Sequence, residues 1–159
     1  MLRSFLIATL FVLFLSPSFA ANQKEIDQIL KMDSAPFGVI FEVVEGDKDA
    51  LNWAIPKIKE YAKLLKAKFP DIGIAVVSHG KEQFGLLKSN QKQNKEVHEA
   101  VKSLVQDDSI PVHICGTHAS WYNKTESDFP DYVDVAPAGP TEINNYEEMG
   151  YVLVVMQEE

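Results

Sequence analysis

The chain carries one cysteine, Cys115, at the end of a short apolar run, followed directly by Gly116, Thr117 and His118. A cysteine reacts through its thiolate, and at an ordinary pKa near 8.5 only about 3% is ionised at pH 7. A protonated histidine or the start of a helix lowers that pKa and raises the reactive fraction. If Gly116 to Ser120 opens a helical turn, backbone N–H groups and the His118 imidazole can both face the sulfur. His79, in the Ser78, His79, Gly80 stretch, is the other candidate base or cation. A lone thiol is open to three readings: a packed and inert side chain, half of an intermolecular disulfide, or a nucleophile. Free cysteine is among the most buried residue types, so packing is its ordinary fate.

The remaining residues narrow the chemistry. Cys115, His118 and His79 match a copper ligand set in residue type only, and no methionine follows His118 at close spacing, so a copper site is not expected; no cofactor is expected of the chain. Gly-rich nucleotide loops, a serine nucleophile elbow and a paired-cysteine redox motif are all missing from the sequence. His98 falls beside the apolar stripe of its segment and is expected to face solvent. His113 points away from Ile114 in a strand and suits packing or a rim. Asp128, Asp131 and Asp134 read as a solvated loop, and Asn123 to Thr125 matches a glycosylation acceptor.

These residues need a scaffold, and the hydrophobic pattern supplies one. Phe37–Val44, Ile72–Ser78, Pro111–Gly116, Tyr132–Ala136 and Tyr151–Met156 are β-branched, nearly continuous apolar runs that predict strands. Between them, apolar residues at three- and four-residue spacing predict a helix from Leu51 to about Leu65, with Asp47 or Asp49 as cap and Pro56 as a kink or start. Further helices are expected from Lys81 to Leu87, Asn94 to Gln106 and Thr141 to Met149, the last closed by Gly150. Another is expected from Ala21 to Met32. Strands alternating with helices imply right-handed crossovers and an α/β fold, a three-layer α/β/α sandwich on a mainly parallel sheet of about five strands. Ligands in such sheets bind beyond the carboxyl ends of the strands. Glu45, Gly46 and Asp47, then His79 and Gly80, then Cys115 to His118, all fall at such ends, so the three loops are expected to share one edge.

The first twenty residues have the layout of a secretory signal peptide: Arg3, an apolar core from Phe5 to Leu15, and small residues before Ala21. That core is too short to span a bilayer, so no membrane association is expected after cleavage. Residues 21–159 then form a single domain, exported across the inner membrane. The net charge of −8 becomes −9 once Arg3 is removed with the leader, which disfavours nucleic acid. Lys57, Lys59, Lys63, Lys66 and Lys68 read as the solvated face of one helix.

The strand ends in order, Phe41–Asp47 (FEVVEGD), Ile74–Gly80 (IAVVSHG), Val112–Thr117 (VHICGT), Val133–Gly139 (VDVAPAG) and Gly150 with Tyr151, resemble the DsrE/DsrF-like family across nearly all of residues 37–155. The resemblance implies a parallel α/β/α fold, homo-oligomers (trimers or hexamers) and intracellular or periplasmic sulfur metabolism. For an exported chain it implies a periplasmic setting. It also implies that Cys115 bears sulfur as a persulfide, exchanged with a sulfur donor or acceptor protein or a small thiol. His118 and His79 would tune the thiolate, and Gly46, Asp47, Gly80, Gly116 and Thr117 would line the pocket. Thr117 stands where relatives often have asparagine, and the 119–131 segment, with Trp121 and Tyr122, is longer than usual. The alternative from the residues alone is a non-catalytic module of the same fold that binds a small molecule or protein and keeps Cys115 as packing.

Overall fold

A computed structural model describes residues 21–158; the expected signal peptide, residues 1–20, lies outside the described residues. Five strands, β1 (Gly38–Val43), β2 (Gly73–Ser78), β3 (Val112–Cys115), β4 (Asp134–Ala136) and β5 (Tyr151–Val155), form one sheet in the order β4-β3-β2-β1-β5. Every pairing is parallel. The helices are α1 (Ala21–Leu30), α2 (Leu51–Lys68), α3 (Lys95–Gln106), α4 (Gly116–Trp121) and α5 (Gly139–Glu148).

Crossover handedness explains where the helices lie. From β1 to β4 each strand steps to its next neighbour in one direction, so right-handed connections put α2, α3 and α4 on one face. The chain then crosses back over the sheet to β5, which sends α5 to the opposite face. The first face is thick. Ile26 and Ile29 of α1, Leu51, Ile55, Ile58 and Leu65 of α2, and Val97, Val101 and Leu104 of α3 pack there on Val39, Phe41, Val76 and Ile114. The second face is thin: Ile143 of α5 meets Ile40, Ala75 and Val77, with Tyr146, Tyr151 and Leu153 around them. Three layers are therefore present, with one outer layer a single helix.

The expected elements are found with informative differences. Asp47 does not cap α2; its carboxylate accepts the Asp49 N–H at 3.0 Å in the turn before the helix, and Ala50 holds the cap position. Pro56 lies in the second turn of a helix that runs on to Lys68. The Lys81–Leu86 segment is a 3-10 turn rather than an α-helix. β4 begins at Asp134, so that aspartate sits in a strand opposite His113 rather than in a loop. α5 starts at Gly139, two residues early, because Pro140 suits a first helical turn, where no N–H partner is needed. Gly150 ends the helix at φ +89°, as expected of a glycine stop. His98 is not solvated. The turn ahead of α3 and Tyr132 widen the buried side of the helix by one position, and the Tyr132 hydroxyl sits 2.7 Å from His98 Nδ1.

The carboxyl ends of β1, β2 and β3 are tied together by the 3-10 turn that follows β2. Glu82 is fully buried there. One of its oxygens accepts from Ser78 Oγ at 2.8 Å and from the Gly80 N–H at 2.9 Å. The other accepts from the Glu45 N–H at 2.8 Å. The next residue, Gln83, is equally buried and its Oε1 accepts the Cys115 N–H at 3.0 Å. Two consecutive side chains thus fasten three strand ends. Removing the Glu82 carboxylate leaves three donors without their partner, and each buried loss costs about 1–3 kcal/mol. Two of these donors, Ser78 Oγ and the Gly80 N–H, are buried, so Glu82→Ala is expected to lower stability by at least about 2 kcal/mol, read as a fall in the urea midpoint at unchanged slope.

Candidate functional site

Strand alternation sends Ile40 and Glu42 of β1, Val77 and then His79 after β2, and His113 and Cys115 of β3 toward the α5 face. Ser78 pairs with Ile114, so His79 and Cys115 follow at one level on adjacent strands. The chemistry-bearing residues therefore cluster where the thin face reaches the carboxyl edge of the sheet.

Cys115 ends β3 and is the cap residue of α4; its Sγ accepts the His118 N–H at 3.4 Å. The backbone N–H thus faces the sulfur as the sequence suggests. The His118 ring turns elsewhere: its Nδ1 is 2.7 Å from the His79 carbonyl oxygen. A carbonyl only accepts, so Nδ1 carries the hydrogen and Nε2 is the open nitrogen. Phe84, Trp121 and Tyr122 surround this imidazole with centroid distances of 5.4, 5.3 and 5.4 Å. Trp121 is 72% exposed, so the aromatic group borders solvent.

His79 is held from two sides. Its Nε2 lies 2.7 Å from Glu42 Oε1, both side chains being largely shielded. Gly139, at the start of α5, packs so closely on it that a Cβ there would come within 2.5 Å of the His79 Cβ. Glycine is what lets the helix approach. Nearby, the Thr117 N–H and Oγ1 both donate to the Pro137 carbonyl, at 3.0 and 2.7 Å, and fix α4 to the β4–α5 connection. Gly116 packs against the Ala136 carbonyl.

Of the residues singled out from sequence, Cys115, His118, His79, Gly80, Gly116 and Thr117 come together. Gly46 and Asp47 share the edge but stand apart: Gly46 has open space where a side chain would be, and Asp47 is spent on its own turn. Sequence reasoning missed Glu42, Glu82 and Gln83. Glu42 had a signal, being the single charged residue inside an apolar strand. Among the described residues no group of three His, Cys, Asp or Glu is placed to hold a metal ion.

Cys115 is 4% exposed. Clefts are found away from it. One of about 270 Å³ is lined by Lys59, Ala62, Lys63, Lys66, Asp108 and Ile110, near the amino end of β3 and so at the opposite edge of the sheet. It is bounded by the Lys59–Asp108 ion pair at 3.0 Å and has no catalytic grouping. Convergent chemistry, rather than cleft volume, marks the strand ends as the candidate site.

The other two buried imidazoles serve packing. His113 Nε2 meets the Tyr146 hydroxyl at 2.9 Å and so joins α5 to the sheet. Burial holds the pKa of His113 below the ordinary imidazole value, against the opposing pull of Glu142 and Asp134. Burial does the same at His98, against the Gly85 and Leu87 carbonyls. Tyr146 is pushed up to about 12, mainly by burial, and stays a phenol.

No family model matches the sequence, and no curated protein matches it. Among solved structures the chain is similar to a protein of unknown function, MTH1491 from Methanobacterium thermoautotrophicum. That match has a TM-score of 0.56 and 18% identity over 74% of this chain and 97% of that one. The chain also aligns with the ychN protein from E. coli at a TM-score of 0.48 and 12% identity, over 75% of this chain and 99% of that one. The likeness to MTH1491 is one of fold. That fold is the one expected from the sequence, an α/β sandwich of five parallel strands flanked by helices.

The two low-pKa imidazoles make stability pH-dependent. Between their folded pKa values and the ordinary 6.5, the unfolded chain binds more protons, so stability rises with pH through that window and falls on acidification. Urea midpoints measured from about pH 7 down to about pH 5 are expected to decline, and the decline to shrink in a His98→Gln, His113→Gln double variant.

Proposed function

We propose that this protein carries sulfane sulfur on Cys115 as a persulfide and relays it between a donor and an acceptor, either a protein or a small thiol. The observation that carries this reading is the setting of the thiol. Cys115 stands at a strand end with its sulfur receiving the His118 N–H, level with a His79 that is held by Glu42. The N–H aimed at Sγ is a donor in place for negative charge that develops on the sulfur during transfer. The Glu42 carboxylate holds the His79 ring in place on the same face.

The reaction needs no outside oxidant. The Cys115 thiolate attacks the outer sulfur of a persulfide donor, and a new Sγ–S bond forms as the donor's S–S bond breaks. The electron pair leaves with the donor thiolate, which takes a proton from water. An acceptor thiolate then attacks the same outer sulfur and returns Cys115 to its starting state. Near-burial suits this role, since an open thiol outside the cell would be consumed by disulfide exchange. Within this proposal the protein works in the periplasm after export, as a trimer or hexamer, with no cofactor.

Incubating the reduced protein with a sulfane sulfur donor is expected to add one or two sulfur atoms to its intact mass. The gain should reverse with reductant and be absent from Cys115→Ser; loading that persists in that variant removes the mechanism.

A second reading, a binding module with a structural cysteine, is favoured by the 4% exposure of Cys115. Native alkylation separates the two. A relay thiol should react in the folded protein within the time of sulfur loading, whereas a packed one should react only as fast as the protein unfolds.

A further inference from the structure

Gln83 makes one hydrogen bond and leaves another unmade. Its Oε1 accepts the Cys115 N–H at 3.0 Å, yet its Nε2, buried with the rest of the side chain, has no partner among the described residues. The orientation of this amide is fixed by chemistry: a backbone N–H can only donate, so the oxygen must face it. The free NH2 belongs to the same planar amide and so lies close to the backbone nitrogen of the cysteine. A buried donor without a partner is rare enough to require an explanation. The unloaded thiol offers little for it, because a thiol sulfur is a weak acceptor and the His118 N–H already occupies Sγ.

We infer that Gln83 holds the carried sulfur: its Nε2–H donates to the anionic outer sulfur of a Cys115 persulfide. This rests on the relay reading and extends it. Transfer places a second sulfur one S–S bond beyond Sγ, and a persulfide ionises more readily than a thiol, so this sulfur is a charged acceptor at neutral pH. The bond made on loading satisfies the orphan donor and is lost when the acceptor removes the sulfur. Gln83 thus binds the loaded form over the empty one.

The test uses the purified protein with ¹⁵N-labelled glutamine side chains and glutathione persulfide as the probe, followed by intact mass and NMR together. Gln83→Glu keeps an oxygen opposite the Cys115 N–H while replacing the donor, and its missing signal identifies the Gln83 amide. On loading, the Gln83 amide is expected to shift and its hydrogen exchange to slow, with neither change in Cys115→Ser. At a fixed ratio of glutathione persulfide to glutathione, the loaded-to-empty ratio should fall about tenfold in Gln83→Glu. An unmoved Gln83 signal while the mass shows sulfur on Cys115 overturns the inference and leaves the relay standing; the amide then serves a buried water. Failure of Cys115 to take up sulfur sinks the relay and the inference together. If Gln83→Glu does not fold, the Gln83 amide is assigned in the wild-type protein by its cross-relaxation with the Cys115 amide proton, and its response to loading decides the matter.

Discussion

The site depends on a buried polar clamp. Parallel strands end without the hairpins that hold antiparallel ones together, so the loops leaving β1, β2 and β3 would be free to splay. Glu82 and Gln83 prevent this from within the sequence that follows β2. Their side chains stand in for backbone partners at the Glu45, Gly80 and Cys115 amides. Such a device is costly to leave half-made, because each buried polar atom needs a partner. Once closed it fixes where a strand ends and hence where its terminal side chain points. The position of Cys115 is in this sense a property of the turn after β2 as much as of β3.

The uneven covering of the sheet completes the arrangement. A thick layer of α1, α2 and α3 supplies most of the apolar burial. The opposite face needs only α5, whose small contact with Ile40, Ala75 and Val77 leaves the strand ends beyond it for Glu42, His79 and Cys115. Stability and chemistry are thus assigned to opposite faces of one sheet. His113 and Tyr146 fasten the lone helix, and Gly139 lets its first turn settle on His79.

Much of this was legible in the sequence. Continuous apolar strands and periodic helices gave the fold class, because burial on both sides of a parallel sheet leaves little freedom in composition. The gathering of His79, Gly80 and Cys115–His118 followed from strand direction alone. What escaped notice shared one cause. Glu82 and Gln83 look like solvent-facing residues of a short turn, and their partners at Glu45 and Cys115 are 37 and 32 positions away. No local pattern announces a long-range hydrogen bond. His98 misled in the same way: helical periodicity put it on the rim, and a hydroxyl from Tyr132, far along the chain, brought it inside. The early start of α5 at Gly139 and the short β4 were boundary matters decided by Pro140 and by pairing with His113.

The order β4-β3-β2-β1-β5 has a consequence for biosynthesis. Three strands add in sequence to one side of β1, but its other edge waits for β5, which follows all of them in the sequence. Until Tyr151–Val155 leaves the ribosome, β1 presents an open and strongly apolar ladder, a template for pairing with another chain. The sheet is complete only when residues 151–155 reach back across the whole fold to pair with β1.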